Sequence, residues 1–87
     1  MAYTVLCAAY GALAGGKDME ARDVTGILQE QLKIHGDGLL KIDNTSMGGD
    51  PAKGHTKHFG AVVEVNGRRT PFACQEGQTI NFSAPVS

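Results

Sequence analysis

The residues that could do chemistry are concentrated in one polar segment in the second half of the chain. Two histidines, two lysines, an aspartate and an asparagine lie between Asn44 and His58, among several glycines. A glycine-rich loop can present successive backbone N–H groups, and lysines add positive charge. The segment therefore predicts contacts to a small anionic or hydroxylated ligand or to a protein. The candidate ligand-binding residues are Asn44, Asp50, Lys53, His55, Lys57 and His58.

Two other interpretations of this segment remain open. Asparagine and aspartate side chains often satisfy local backbone groups in ordered loops that bind nothing. A metal site formed by His55, His58 and the distant His35 is the second. Strand geometry sends residues three apart to opposite faces, and no glutamate stands close by in a usual metal-binding arrangement. We therefore expect no metal ligands and no cofactor.

The chain contains no recognisable catalytic motif. Catalysis would require a nucleophile beside a base, or two carboxylates in one cleft. The sequence contains no P-loop, dinucleotide-binding fingerprint or GxSxG motif. The predicted function is a non-enzymatic ligand-binding or interaction module with contacts on the Asn44 to His58 loop. The alternative is a small acid–base enzyme in which a histidine and an aspartate share a cleft.

Composition limits the partners. The 87 residues fit one small domain, residues 1–87, and eight basic and nine acidic residues leave a net charge of -1. Such a balance provides no basic field for a phosphate backbone, so we expect no nucleic-acid partner. No apolar run approaches the roughly 18 residues that a membrane span requires, so we expect no membrane partner either.

The cysteines bear on the compartment. Cys7 and Cys74 lie in predicted strands, which favours two buried, free thiols that pack as small hydrophobic groups. A disulfide between them is the alternative, and it would require an oxidising compartment. The apolar amino-terminal stretch lacks the positive charges that precede the apolar region of a signal peptide. We therefore expect a reduced, cytoplasmic protein.

The first half of the chain predicts a strand and then a helix. Tyr3 to Tyr10 is strand-like and is followed by a loop that begins at Gly11 and includes Gly15-Gly16. A helix is predicted from about Val24 to His35, with Asp23 or Thr25 capping its start and Gly36 ending it. Its apolar stripe consists of Val24, Ile27, Leu28 and Leu32.

The second half of the chain predicts a hairpin, with one short strand before it and another after it. Asn66-Gly67 favours a type I′ turn that sets Val65 opposite Arg68. Proline cannot donate to a ladder, so the strand containing Pro71 is expected to be an edge strand or bulged. Leu39 to Asp43 and Thr79 to Ser83 are the flanking strands, the latter burying Ile80 and Phe82. In this register the core face of the hairpin carries Phe59, Ala61, Val63, Val65, Phe72 and Cys74, with His58, Glu64, Arg69 and Gln75 on the other face.

These elements predict an α+β fold, an antiparallel β-sheet of four or five strands with one amphipathic helix packed on it. The helix should cover the face that bears Phe59, Val63 and Phe72. If Ile27, Leu28 and Leu32 were exposed in one chain, a homodimer would have to cover them. A possible homodimer is therefore part of the prediction.

Several short motifs, spread over residues 8 to 82, match the pattern of a known family. They are Ala9-Tyr10-Gly11, Asp23-Val24-Thr25, Asn44, Gly49-Asp50-Pro51, Gly54, Lys57 and Glu76-Gly77. On these motifs the chain resembles the small β-rich domain of unknown function at the carboxyl end of mitochondrial J-domain proteins of the C-eleven subfamily, a domain also found as short stand-alone proteins. The family pattern has an aromatic residue before its Gly-Asp-Pro step, where this chain has Met47 and Gly48. The resemblance implies a β-rich fold and no established activity.

Overall fold

The computed structural model describes residues 2–14 and 17–83 and has an α+β fold, as predicted. A four-stranded antiparallel sheet has the order β2-β1-β4-β5, and a second, two-stranded sheet pairs β3 with β6. The predicted loop residues Gly15-Gly16 lie outside the described residues. The elements are β1 Tyr3–Ala14, β2 Asp18–Asp23, α1 Thr25–Ile34, β3 Leu39–Lys41, β4 His58–Val65, β5 Arg68–Gln75 and β6 Thr79–Asn81.

The β4–β5 hairpin forms in the predicted register. Val65 pairs with Arg68, and the ladder continues to His58 opposite Gln75. Asn66 and Gly67 both have positive φ, 52° and 84°, which a type I′ turn requires. Pro71 lies in β5, an edge strand of the sheet, as its missing N–H predicts.

The first strand is longer than predicted, and a second strand pairs with it. The expectation of a loop from Gly11 is wrong, because β1 continues to Ala14 and Gly11 pairs with Ala21 of β2. All six residues of β2 are exposed. β2 alternates charged residues with two apolar ones, Met19 and Ala21, which fits a strand, but the sequence prediction overlooked this short and largely charged run.

A β-bulge near the start of β1 changes which side chains face the core. The register shifts between Val5 and Cys7, so Val5 and Ala8 are both buried while Leu6 and Cys7 are exposed. The prediction that Cys7 is buried is therefore wrong. Both cysteines are free thiols, as predicted, and Cys74 is half-buried. Burial raises the pKa of the Cys74 thiol.

Helix α1 packs on β1 and covers one face of the sheet. Leu28 and Leu32 are buried and Ile27 is half-buried, so the apolar stripe is covered within one chain. The prediction that Asp23 or Thr25 caps the helix is wrong, because the N-cap is Val24, which has no side-chain capping hydrogen bond. The Asp23 carboxylate instead accepts hydrogen bonds from the N–H and the hydroxyl of Thr25, the first helical residue. The expectation that Gly36 ends the helix in the left-handed conformation is also wrong, because the C-cap is His35 and Gly36 does not have positive φ. The first glycine after the helix with positive φ is Gly38, at 80°.

The small sheet closes the far side of the core. β3 and β6 fall within the predicted segments but are shorter, and Phe82, just after β6, is fully buried. Its ring lies 4.6 Å from that of Phe72, centroid to centroid, which joins the small sheet to the hairpin.

No helix in residues 2–14 and 17–83 has the length and apolar character needed to cross a membrane.

Two glycines on neighbouring strands provide a matched test of the sheet. A Cβ at Gly11 would overlap the Ala21 Cα and the Glu20 carbonyl oxygen of β2, whereas a Cβ at Gly60 would meet nothing within 4 Å. We expect Gly11→Ala to lower the free energy of unfolding by about 1–3 kcal/mol. Gly60→Ala should leave it unchanged or raise it slightly. Urea unfolding of both variants checks this, and equal stabilities would contradict the close approach of β1 and β2.

Candidate functional site

The loop between β3 and β4 is anchored in the core. Met47 and Ala52, both apolar residues of this loop, are fully buried. Asp43 and Ser46 exchange hydrogen bonds, from the Asp43 N–H to Ser46 Oγ and from the Ser46 N–H to Asp43 Oδ1. The loop is therefore held by its own turns and by two buried side chains.

Lys57 is the centre of a buried polar cluster. The residue is only 4% exposed, and its Nζ lies 2.8 Å from Asp50 Oδ1 and 3.7 Å from Glu76 Oε1. The Lys57 N–H donates to Glu76 Oε1, and the Glu76 N–H donates to the Lys57 carbonyl oxygen. The ammonium group therefore faces one carboxylate from the loop and one from the turn after β5.

The charges in this cluster stabilise one another. The hydrogen bond from Lys57 lowers the pKa of the Asp50 carboxyl, and the same hydrogen bond raises the pKa of Lys57. Two carboxylates and one ammonium leave this trio with a net negative charge. An anionic ligand therefore has no unpaired cation to bind here.

Tyr10 and Asn44 extend the cluster into the core. The Tyr10 hydroxyl donates to Asn44 Oδ1 over 2.6 Å, and Tyr10 has no exposed surface. Burial, and after it the negative charges of Glu76, Asp43 and Asp50, raises the pKa of Tyr10 to about 12. This phenol stays protonated and acts as a hydrogen-bond donor at neutral pH.

The structure brings together three of the six residues predicted to bind a ligand. Asn44, Asp50 and Lys57 lie in the polar cluster, where their polar groups bind one another or Tyr10 and Glu76. The other three are exposed and form no hydrogen bond or ion pair with the cluster: Lys53, His55 and, on the outer face of β4, His58. Besides the hydrogen bond from Lys57, the charge of Lys53 is near enough to contribute to the lowered pKa of Asp50.

Tyr10 and Glu76 are the cluster members that the site prediction missed. Both are among the residues that carry the family resemblance, which was the only signal that could have found them. Tyr10 lies on β1 and Glu76 follows β5, so no local spacing connects them to the loop.

The histidines form no site of their own. In the described part of the chain, no histidine ring is hydrogen-bonded to a carboxylate or a thiol, and no histidine forms an ion pair. The same residues contain no group of three or more His, Cys, Asp and Glu side chains placed to hold a metal ion.

The outer face of the four-stranded sheet, opposite α1, carries a shallow trough. Two adjoining cavities, of about 440 and 350 Å³, share Ala9, Ala21 and Gly60 as their floor and are open to solvent. Leu13 and Met19 stand at one end and are 50% and 70% exposed. The remaining outward side chains around the trough are Cys7, Asp23, His58 and Val62, with Arg22 at the edge of the larger cavity.

Comparison with protein-family models, with curated proteins and with solved structures finds no match to this chain. The resemblance to the J-domain family therefore stays a prediction. The geometry of the cluster and the trough carries the functional argument.

The first prediction from the site concerns the buried charge. Lys57→Met leaves the Asp50 and Glu76 carboxylates without their cation, so we expect the melting temperature at neutral pH to fall by at least about 5 °C. Lys53→Met is the matched control, because Lys53 is exposed and outside the cluster, and it should melt within about 1 °C of the wild type. Differential scanning calorimetry measures both. Equal melting temperatures for the two variants would contradict a structural role for Lys57.

The second prediction concerns alkaline pH. Because the pKa of Tyr10 is raised to about 12 in the folded chain, its contribution to stability is complete below the ordinary tyrosine value of about 10 and is lost as the pH rises toward the folded value. Tyr10→Phe removes both this titration and the hydrogen bond to Asn44, at a cost of about 1 kcal/mol near neutral pH. Urea unfolding should show the stability advantage of the wild type shrinking above about pH 10. A pH-independent difference between the two proteins would refute the assignment.

Proposed function

We propose that this chain is a non-enzymatic interaction module that binds an aliphatic segment of a partner protein in the trough on the outer sheet face. One observation carries the proposal: α1 covers one face of the sheet, while the opposite face is open and has two large aliphatic side chains, Leu13 and Met19, exposed at the end of a continuous trough. Exposed apolar surface of this kind is typical of protein contact sites.

The polar cluster supports the choice of this face over the loop. Asn44, Asp50 and Lys57 are three of the six predicted ligand contacts, and their polar groups already bind other groups of the chain. Breaking those contacts for a ligand would leave a buried ammonium or carboxylate unpaired. The exposed residues Lys53 and His55 remain candidates, and His58 borders the trough itself.

The lining of the trough favours an aliphatic peptide over other partners. The alanines and the glycine of the floor leave room for a partner's main chain to approach closely. Both cavities are too open to enclose a small molecule. Arg22 and Asp23 lie side by side at the larger cavity, so charge of one sign does not dominate. The chain has no tryptophan to stack on a sugar. The two free thiols support a reducing, cytoplasmic setting.

The acid–base enzyme has less support. It requires a histidine within hydrogen-bond reach of a carboxylate, in a cleft. Among the described residues all three histidines are exposed, and none makes such a contact. His58 borders the trough, but Asp23, the acidic residue that lines the trough, binds Thr25 at the start of α1.

A library of random peptides displayed on phage, selected on the wild-type chain, tests the proposal. We expect enriched peptides to be rich in aliphatic residues and to bind the purified chain in fluorescence polarisation. Gly60→Arg should raise their Kd at least about tenfold, because its side chain would occupy the floor of the trough without a clash in the sheet.

Gly36→Arg is the matched control, since a Cβ at Gly36 also meets nothing within 4 Å and lies outside the trough. It should bind like the wild type. If Lys53→Ala combined with His55→Ala abolishes binding and Gly60→Arg does not, the contacts lie on the loop and the trough is not the site. Failure to enrich any peptide above a blank selection would also overturn the proposal.

A further inference from the structure

The outer edge of β2 has no partner strand in the described part of the chain. β2 is the terminal strand of the four-stranded sheet, and all six of its residues are exposed. It contains neither proline nor glycine, the residues that weaken or block pairing. The opposite edge is different, because β5 contains Pro71, which lacks an N–H for an added strand.

We propose that β2 is a dimerisation edge, at which a second copy of this chain adds its own β2 antiparallel and extends the sheet across a two-fold axis. The charges along the strand determine the register. In an antiparallel pair, residues opposite one another point to the same face of the sheet. Sliding one strand by a single residue would set side chains of opposite faces against one another, so the possible registers differ by steps of two residues.

One of these registers pairs only opposite charges. With Ala21 opposite Ala21 of the second copy, Glu20 lies opposite Arg22 of the second copy, and the same pair repeats across the axis. Shifting the strands one way places Glu20 opposite its own copy, and shifting them the other way places Arg22 opposite its own copy. Like charges directly opposite destabilise a sheet, so the register centred on Ala21 is favoured.

The side chains that this register uses are accessible. The Glu20 side chain makes no hydrogen bond or ion pair with any described residue. Arg22 donates from Nη1 to the Gly48 carbonyl oxygen and keeps its other guanidinium N–H groups for a carboxylate. Both lie on the same face of β2, since they are two residues apart.

Charge-reversal variants test the register. Analytical ultracentrifugation of the full chain over a concentration series should show reversible dimers that weaken with added salt. Glu20→Arg places two arginine pairs across the axis, and Arg22→Glu places two glutamate pairs there. Each variant alone should therefore dimerise at least about tenfold more weakly than the wild type. In an equal mixture, each arginine of the first variant lies opposite a glutamate of the second, so the mixed dimer should recover the wild-type affinity.

Asp18→Arg is the matched control. Asp18 lies opposite Arg22 only in the register that is shifted, so this variant should dimerise like the wild type. Circular dichroism shows whether each variant is folded, which matters for Arg22→Glu because it loses the hydrogen bond to Gly48.

Cross-linking provides a second measurement. With Cys7→Ser and Cys74→Ser in the background, Ala21→Cys should form a disulfide-linked dimer under mild oxidation, and Met19→Cys should not, because Met19 lies opposite Asp23 of the second copy. A chain that stays monomeric at every concentration would overturn the proposal. So would a dimer that Glu20→Arg leaves intact, or one that Asp18→Arg weakens as much as Glu20→Arg does. The dimer is independent of the trough, so its failure leaves the peptide-binding proposal standing.

Discussion

The buried ammonium group of Lys57 imposes a condition on two other parts of the chain. A charge removed from water must be paired, so carboxylates have to reach it from nearby elements. Asp50 comes from the loop and Glu76 from the turn that follows β5. The hydrogen bond between Tyr10 and Asn44 then ties the same loop to β1. Asn44, Asp50 and Lys57, half of the predicted ligand contacts, therefore stabilise the fold itself.

A second constraint comes from the edge of β1. β2 pairs only with the half of β1 from Ala9 to Ala14, which leaves backbone groups of the earlier half without a strand beside them. Helix α1 supplies the missing partners: Gln29 accepts from the Val5 N–H and donates to the Tyr3 carbonyl oxygen, while Thr25 accepts from the Ala8 N–H. Satisfying this edge holds the helix on one face of the sheet, and nothing in the described residues covers the other.

How much of this could be read from the sequence depends on the range of each interaction. The hairpin register followed from Asn66-Gly67, because a two-residue turn fixes every later pair. The exposure of Cys7 could not be predicted from the sequence, because a bulge inserts a residue without a local signal. The cluster was harder still. Asn44 and Lys57 had no evident mechanical role in the sequence, and their partners Tyr10 and Glu76 lie in distant elements that only the folded chain brings together.

The trough on the outer sheet face and the unpaired edge of the sheet both include β2, but they use different groups of this strand. Ala21 and Met19 point to the outer face, whereas the main chain of β2 and the side chains of Glu20 and Arg22 serve the edge. Pairing at the edge would place the troughs of two copies side by side on one continuous sheet, and a partner with two aliphatic segments would then gain avidity. A face-to-face dimer would instead bury both troughs. Of the two modes of self-association, only pairing along β2 leaves the trough free for another protein.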